Sequence, residues 1–149
     1  MAQKIVWTVG HSSRSAEQLV ALLTEAGIAA VADVRSSPWS RRHPWHGRDE
    51  MERILAAAAI AYHWLGAALG GLRDEGYAAH RLTDVYQEGL RRLIALAGDQ
   101  PTALLCAEAD PRSCHRKFIA DDLSRRGLLV RHLLGPGESV PHQPALFAE

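Results

Sequence analysis

Cys106, Glu108, Cys114, His115 and Arg116 lie close together in the stretch TALLCAEADPRSCHRKFIADDLSRR, which spans Thr102 to Arg126. These side chains can supply a thiolate nucleophile, a general acid or base and an anion contact. A thiol at a helix start beside an arginine has its pKa lowered, which would make Cys114 a nucleophile at neutral pH. The competing reading is that Cys114 packs, because cysteine is among the most buried residue types and helical spacing aligns Cys114 with Phe118. Cys106 closes an apolar run and reads as core. Cys106 and Arg112 match the C-x5-R spacing of a cysteine phosphatase loop, and a sulfur-transfer loop of the rhodanese sort is comparable. The intervening residues hold no glycine to turn amides onto an anion, which weighs against both. Cys106, Glu108, Cys114, His115 and His11 are also the residues from which a zinc site would be drawn. They lack the paired spacing of metal ligands, so no metal and no cofactor is required. A redox pair of Cys106 and Cys114 would need its Cα atoms within about 7 Å.

A second group follows the second apolar segment. Asp33 and Arg35 precede a loop holding Arg41, Arg42, Arg48, Trp39, Trp45, His43 and His46. Arginine binds phosphate as a fork and tryptophan offers a face for a base, a mixture suited to a nucleotide or single strand. The plain alternative is a solvated basic loop with its tryptophans tucked onto the domain. Asp33 and Glu108 are each a general base or the partner that fixes an arginine through a bidentate pair. His11, after Gly10, is a base, a ligand or a turn hydrogen-bonder. Ser12 and Arg14 beside it, Ser40 beside Arg41, and the backbone at Gly70 and Gly71 complete the candidate anion contacts.

The elements that must position these groups follow from periodicity. Ile5 to Val9 reads as a strand. Ser15 with Gln18 forms a capping box before Leu19, Leu22, Leu23 and Ala26 at helical spacing, and Gly27 ends that helix. Ile28 to Val34 is a second strand. Met51, Ile54, Leu55 and Ala58 mark a second helix, and Ile60 to Leu65 a third strand. GAALGGLRDEG reads as a glycine-rich loop able to approach something closely. Tyr86, Leu90, Leu93, Ile94 and Ala97 form a third helix ended by Gly98. Thr102 to Leu105, flanked by Gly98, Asp99 and Pro101, has the length of a buried parallel strand. Asp110 and Pro111 read as N-cap and first residue of a helix carrying Phe118, Ile119, Ala120 and Leu123. Leu128 to Leu134 is the fifth strand.

Alternating strands and helices predict one three-layer α/β domain over 1–134: a mostly parallel sheet of about five strands, helices on both faces and right-handed crossovers. Residues 135–149 read as a Pro/Gly-containing tail. In a parallel sheet the carboxyl ends share an edge, so His11, Asp33, Arg35, Leu65 to Gly71 and Cys106 to Glu108 should converge there.

The motifs C-x-E-x-x-P-x-x-C-H-R, TVGHSSRS (Thr8 to Ser15), DVRSSPWSRR (Asp33 to Arg42) and LGG (Leu69 to Gly71) resemble the DUF488 family, small prokaryotic proteins of unknown function. The resemblance spans roughly residues 4 to 134. It implies a fold and a residue cluster and leaves the reaction open. It matches cleanly at Asp33, Arg35, Pro38, Ser40 and Arg41, and it departs at WHGRDEM, where the family carries a phenylalanine-led stretch.

Seventeen basic and seventeen acidic residues cancel, so a nucleic-acid footprint would have to be local. Hydrophobic residues at 47% and charged residues at 23% exclude a disordered chain. With no spanning segment, no signal peptide and two cysteines, the expectation is a cytoplasmic protein that does not engage a membrane. The expected function is an enzyme acting on a phosphate-bearing nucleotide, nucleoside or nucleic acid. The rivals are a non-catalytic nucleic-acid-binding or regulatory module and a Cys106/Cys114 redox switch. Oligomeric state is open.

Overall fold

The computed structural model describes residues 4–36, 44–71, 73, 75–108 and 115–143. The elements run β1 (Ile5–Gly10), α1 (Ala16–Glu25), β2 (Ala30–Asp33), a turn of 3-10 helix (Pro44–His46), α2 (Arg48–Ala57), β3 (Ala61–Trp64), α3 (Gly66–Leu69), α4 (Tyr77–His80), α5 (Asp84–Asp99), β4 (Thr102–Cys106), α6 (Arg116–Arg125), β5 (Leu129–Gly135) and β6 (Glu138–Pro141). They build one sheet of order β3-β2-β4-β1-β5-β6. β1 to β5 are parallel, and β6 joins β5 antiparallel. The three-layer α/β architecture expected from the alternation is therefore present.

The two central strands show why. Every residue of β2 and β4 is buried, as their apolar runs require of strands covered on both faces. One face packs Val9, Val31, Ala103 and Leu105 against Leu19, Leu22 and Leu23 of α1 and Met51 and Leu55 of α2. The other packs Val6, Ala32, Leu104 and Cys106 against Tyr86, Leu90 and Leu93 of α5 and Ile119 and Leu123 of α6. At the start of α1, the Ser15 hydroxyl accepts from the Gln18 amide at 3.1 Å and the Gln18 side chain accepts from the Ser15 amide at 2.8 Å. The capping box therefore forms as the S-x-x-Q spacing demands.

Four expectations change. The glycine-rich loop contains a helical turn, α3, followed by α4. The third long helix passes through Gly98 to Asp99, capped at its start by the Thr83 hydroxyl on the Tyr86 amide. The last long helix opens at Arg116 with His115 at its N-cap, so the Asp110–Pro111 cap lies outside the described residues. The tail beyond Gly135 supplies a sixth strand. Pro136 and Gly137 are a turn rather than a loose end: Gly137 has φ +66°, and Gly135 pairs with Glu138 across the hairpin. Proline then glycine at the central positions is the signature of a type II turn.

Candidate functional site at the sheet's carboxyl edge

Chain direction in the sheet selects the place where loops part. From β1 the chain crosses through α1 to β2 on one face, and from β4 it crosses through α6 to β5 on the other. β1 and β4 are neighbours, so their following loops leave toward opposite faces. Open α/β sheets bind ligands in the crevice made at such a switch point. The two strands stay zipped just past their ends, His11 N–H to Cys106 O and Ser12 N–H to Ala107 O, both 2.9 Å. Ser12 then takes φ +47°, a left-handed conformation uncommon for a side-chain-bearing residue, and turns the chain away.

His11 sits at this point, 8% exposed. Its Nδ1 donates to the Ser12 carbonyl at 3.0 Å, which leaves the ring's lone pair on Nε2. Burial is the main cause that lowers its pKa to about 4, with the charges of His46 and Arg35 acting the same way against the Ser12 hydrogen bond. The ring is therefore neutral at pH 7. His46, fully buried, lies with its ring centroid 4.0 Å from that of His11 and its Nε2 donates to the Arg14 carbonyl at 2.8 Å.

Beside the pair, Asp33 and Arg35 form a buried ion pair. Arg35 Nε reaches Asp33 Oδ1 at 2.8 Å and Nη2 reaches Oδ2 at 2.7 Å, while Nη1 donates to the His46 carbonyl at 2.5 Å. The Tyr62 hydroxyl also donates to Asp33. Burial opposes the guanidinium charge, but the Asp33 hydrogen bond and carboxylate outweigh it and hold the Arg35 pKa above its usual value. Burial and then Asp33 push the Tyr62 hydroxyl up. Of the two roles open to Asp33, this geometry is the bidentate fixing of an arginine. Arg14 is similarly engaged, donating to the carbonyls of Gly10 at 2.9 Å and Leu134 at 2.7 Å. Arg14 and Arg35 thus brace the edge with the donors expected to hold an anion.

His115 Nε2 donates to the Val34 carbonyl at 2.9 Å, which ties the start of α6 to the end of β2. Its ring rests on Gly71, where an added Cβ would stand 2.7 Å from Nδ1. Cβ atoms at Gly66 and Gly70 would collide with the Arg35 carbonyl and the Ser36 side chain. The close approach expected of these glycines is made to the protein's own edge. Arg116 is fully buried on the first turn of α6. Glu108 is exposed, with its carbonyl accepting from the Cys106 thiol at 3.5 Å. Cys114, Ser40, Arg41 and Arg42 lie outside the described residues, as do Trp39 and His43.

The structure thus brings together His11, Ser12, Asp33, Arg35, Gly70, Gly71 and His115; Glu108 is exposed just past β4, and Arg116 is buried with its charge felt at His132. Sequence reasoning missed Tyr62 and Trp64, the latter donating to the Arg35 carbonyl at 2.9 Å. Both lie in β3, beside β2, where Asp33 aligns with Trp64. A tyrosine and a tryptophan on alternate positions facing an Asp-x-Arg strand end were the available signal.

This fold and edge define a mostly parallel α/β protein with a buried histidine at the switch point of its sheet. The chain belongs to the DUF488 family, described as a domain of unknown function, whose model matches residues 15–123. No curated protein and no solved structure matches it. Among the described residues, no helix is long and apolar enough to cross a membrane.

Proposed function

We propose that the protein is an enzyme whose phosphate-bearing substrate, a nucleotide, nucleoside phosphate or nucleic acid, enters the crevice between the loops after β1 and β4. The observation that carries this reading is neutral His11 at the switch point, its Nδ1 proton committed to Ser12 and its Nε2 lone pair available for proton transfer. A base with a pKa near 4 is a poor match to neutral pH. A phosphate dianion beside it would raise that value by direct charge attraction, so the substrate itself would tune the base. In sequence, Arg41 and Arg42 remain the anion contacts; Arg14 and Arg35 serve as braces, and Arg116 is fully buried. Trp45 donates its Nε1 to the Arg14 carbonyl at 3.2 Å and is half-buried, which favours an enzyme pocket over an open stacking platform. The redox reading rests on Cys114.

Calorimetry with inorganic phosphate, pyrophosphate and nucleoside mono- and triphosphates, repeated in buffers of different ionisation enthalpy, tests the proposal. The expected result is saturable binding with uptake of close to one proton in the wild type and none in His11→Gln. Binding without proton uptake would mean that the phosphate does not bring its charge to bear on His11. Preference for single strands with a steep salt dependence would make the protein a binding module.

A further inference from the structure

A second set of polar groups lies inside the domain, apart from His11. Thr8 Oγ1 is 2.6 Å from His132 Nδ1, His132 Nε2 is 2.9 Å from His142 Nδ1, and His142 Nε2 is 2.6 Å from Asp121 Oδ1. The chain runs from β1 through β5 and the residue after β6 to α6. Thr8 and His132 are 0% and 4% exposed, and the His142 and Asp121 side chains 7% and 11%.

Hydrogen-bond polarity leaves two arrangements. An ionised carboxylate only accepts, so His142 carries its proton on Nε2. If His142 is neutral, its Nδ1 accepts, His132 donates from Nε2, and His132 Nδ1 accepts from the Thr8 hydroxyl. If His142 is an imidazolium, its Nδ1 donates instead. His132 must then accept at Nε2, carry its proton on Nδ1, and donate to Thr8. Both arrangements satisfy all three contacts. They differ by one proton: one enters, the hydrogens between Thr8 and His142 each shift along the chain, and the charge rests on His142 beside Asp121. A third state, with His132 also charged, faces two donors at each other across 2.9 Å.

We propose that Thr8–His132–His142–Asp121 is a one-proton relay, in which protonation of His142 switches the His132 tautomer and reverses the hydrogen bond at Thr8. The groups around it agree. From α6, Asp121 stabilises charge on His142, and Arg116 opposes charge on His132. β1 contributes the Thr8 hydroxyl, and β6 sets apolar Val140 opposite His132. Asp122, next to Asp121, turns to Arg81 and Tyr86 instead. Burial, then His142 and Arg116, lower the His132 pKa to about 4, which keeps the His132 ring neutral. Thr8 lies two residues before Gly10 on the strand that leads to His11, so the relay delivers the state of the C-terminal hairpin to that strand. It stands whether or not the crevice is catalytic.

Long-range proton–nitrogen NMR on the imidazoles of the intact, 15N-labelled protein, from pH 8 to 5, reads the tautomers directly. The expected result is that His142 becomes an imidazolium while His132 stays neutral and moves from the Nε2–H to the Nδ1–H form with the same midpoint. Asp121→Asn should shift both midpoints together to lower pH by a unit or more. Thr8→Val should leave the His142 titration in place. A His132 tautomer that does not change, or a His132 that titrates to an imidazolium in step with His142, overturns the relay. Because the wild type alone decides between these outcomes, a variant that fails to fold leaves the test intact.

Discussion

His115 Nε2 donates to the Val34 carbonyl at 2.9 Å, a bond that joins the N-cap of α6 to the residue after β2. The imidazole keeps this position because Gly71 offers it a surface with no side chain. Gly71→Ala would place a methyl 2.7 Å from Nδ1, so the ring or the loop must move. The expected cost is about 1–3 kcal/mol in urea unfolding. His115→Ala in the same background should recover part of it, since the clash then has no partner.

Asp33 and Arg35 make the second test. Removing one partner of a buried pair strands the other charge, at a cost of about 3–5 kcal/mol. Arg35→Met should lose that much in chemical denaturation, and Arg35→Lys should also lose stability because an ammonium cannot make the two-point contact. The Asp33→Asn/Arg35→Met double variant should fall by less than the sum of the singles. Additive losses would mean that the pair is not coupled.

Ala59 follows the C-cap of α2 with φ +62° and is exposed. Its successor Ile60 donates back to the Leu55 carbonyl at 2.9 Å, and its own amide to Ala56 at 3.0 Å, the pattern of a glycine-type helix stop. Ala59→Gly relieves the left-handed strain and should stabilise the protein by about 0.5–1 kcal/mol, read as a rise in the thermal midpoint. The same change at exposed Ala57, the last residue of the helix, should instead destabilise, by less than the roughly 1 kcal/mol of a helix interior.

His11 and His132 are both neutral in the fold, with pKa values lowered to about 4 from 6.5. The unfolded chain binds these protons first. Their contribution is therefore complete above pH 6.5 and is lost as pH falls from 6.5 toward 4. Urea unfolding at pH 7, 5.5 and 4.5 should show this decline. His11→Gln should flatten the profile by on the order of 2 kcal/mol over that range. An unchanged slope would mean that His11 accepts its proton in the folded state.

Much of the scaffold can be read locally because its signals are local. The capping box at Ser15, the apolar runs of β2 and β4 and the helical spacing of α5 each depend on neighbours a few residues away. Where a glycine has a role set by a distant partner, local reading stops: Gly70 and Gly71 read in the sequence as a close approach to an anion and are contact surfaces for Ser36 and His115 in the fold.

By itself, the sequence determined the alternation of strands and helices, the parallel sheet, the shared carboxyl edge and membership of DUF488. Those follow from periodicity, capping and motif order, which are properties of short stretches. Only the tertiary structure decided what the polar groups at that edge do. Arg35 and Arg14 looked like anion contacts until the fold turned them onto nearby Asp33 and the Gly10 carbonyl and brought the His46 and Leu134 carbonyls within their reach. Thr8, 124 positions from His132, gained its partner through the pairing of β1 with β5. A side chain's type limits what it can bond to, but which groups it meets is set by register and packing between segments distant in the chain.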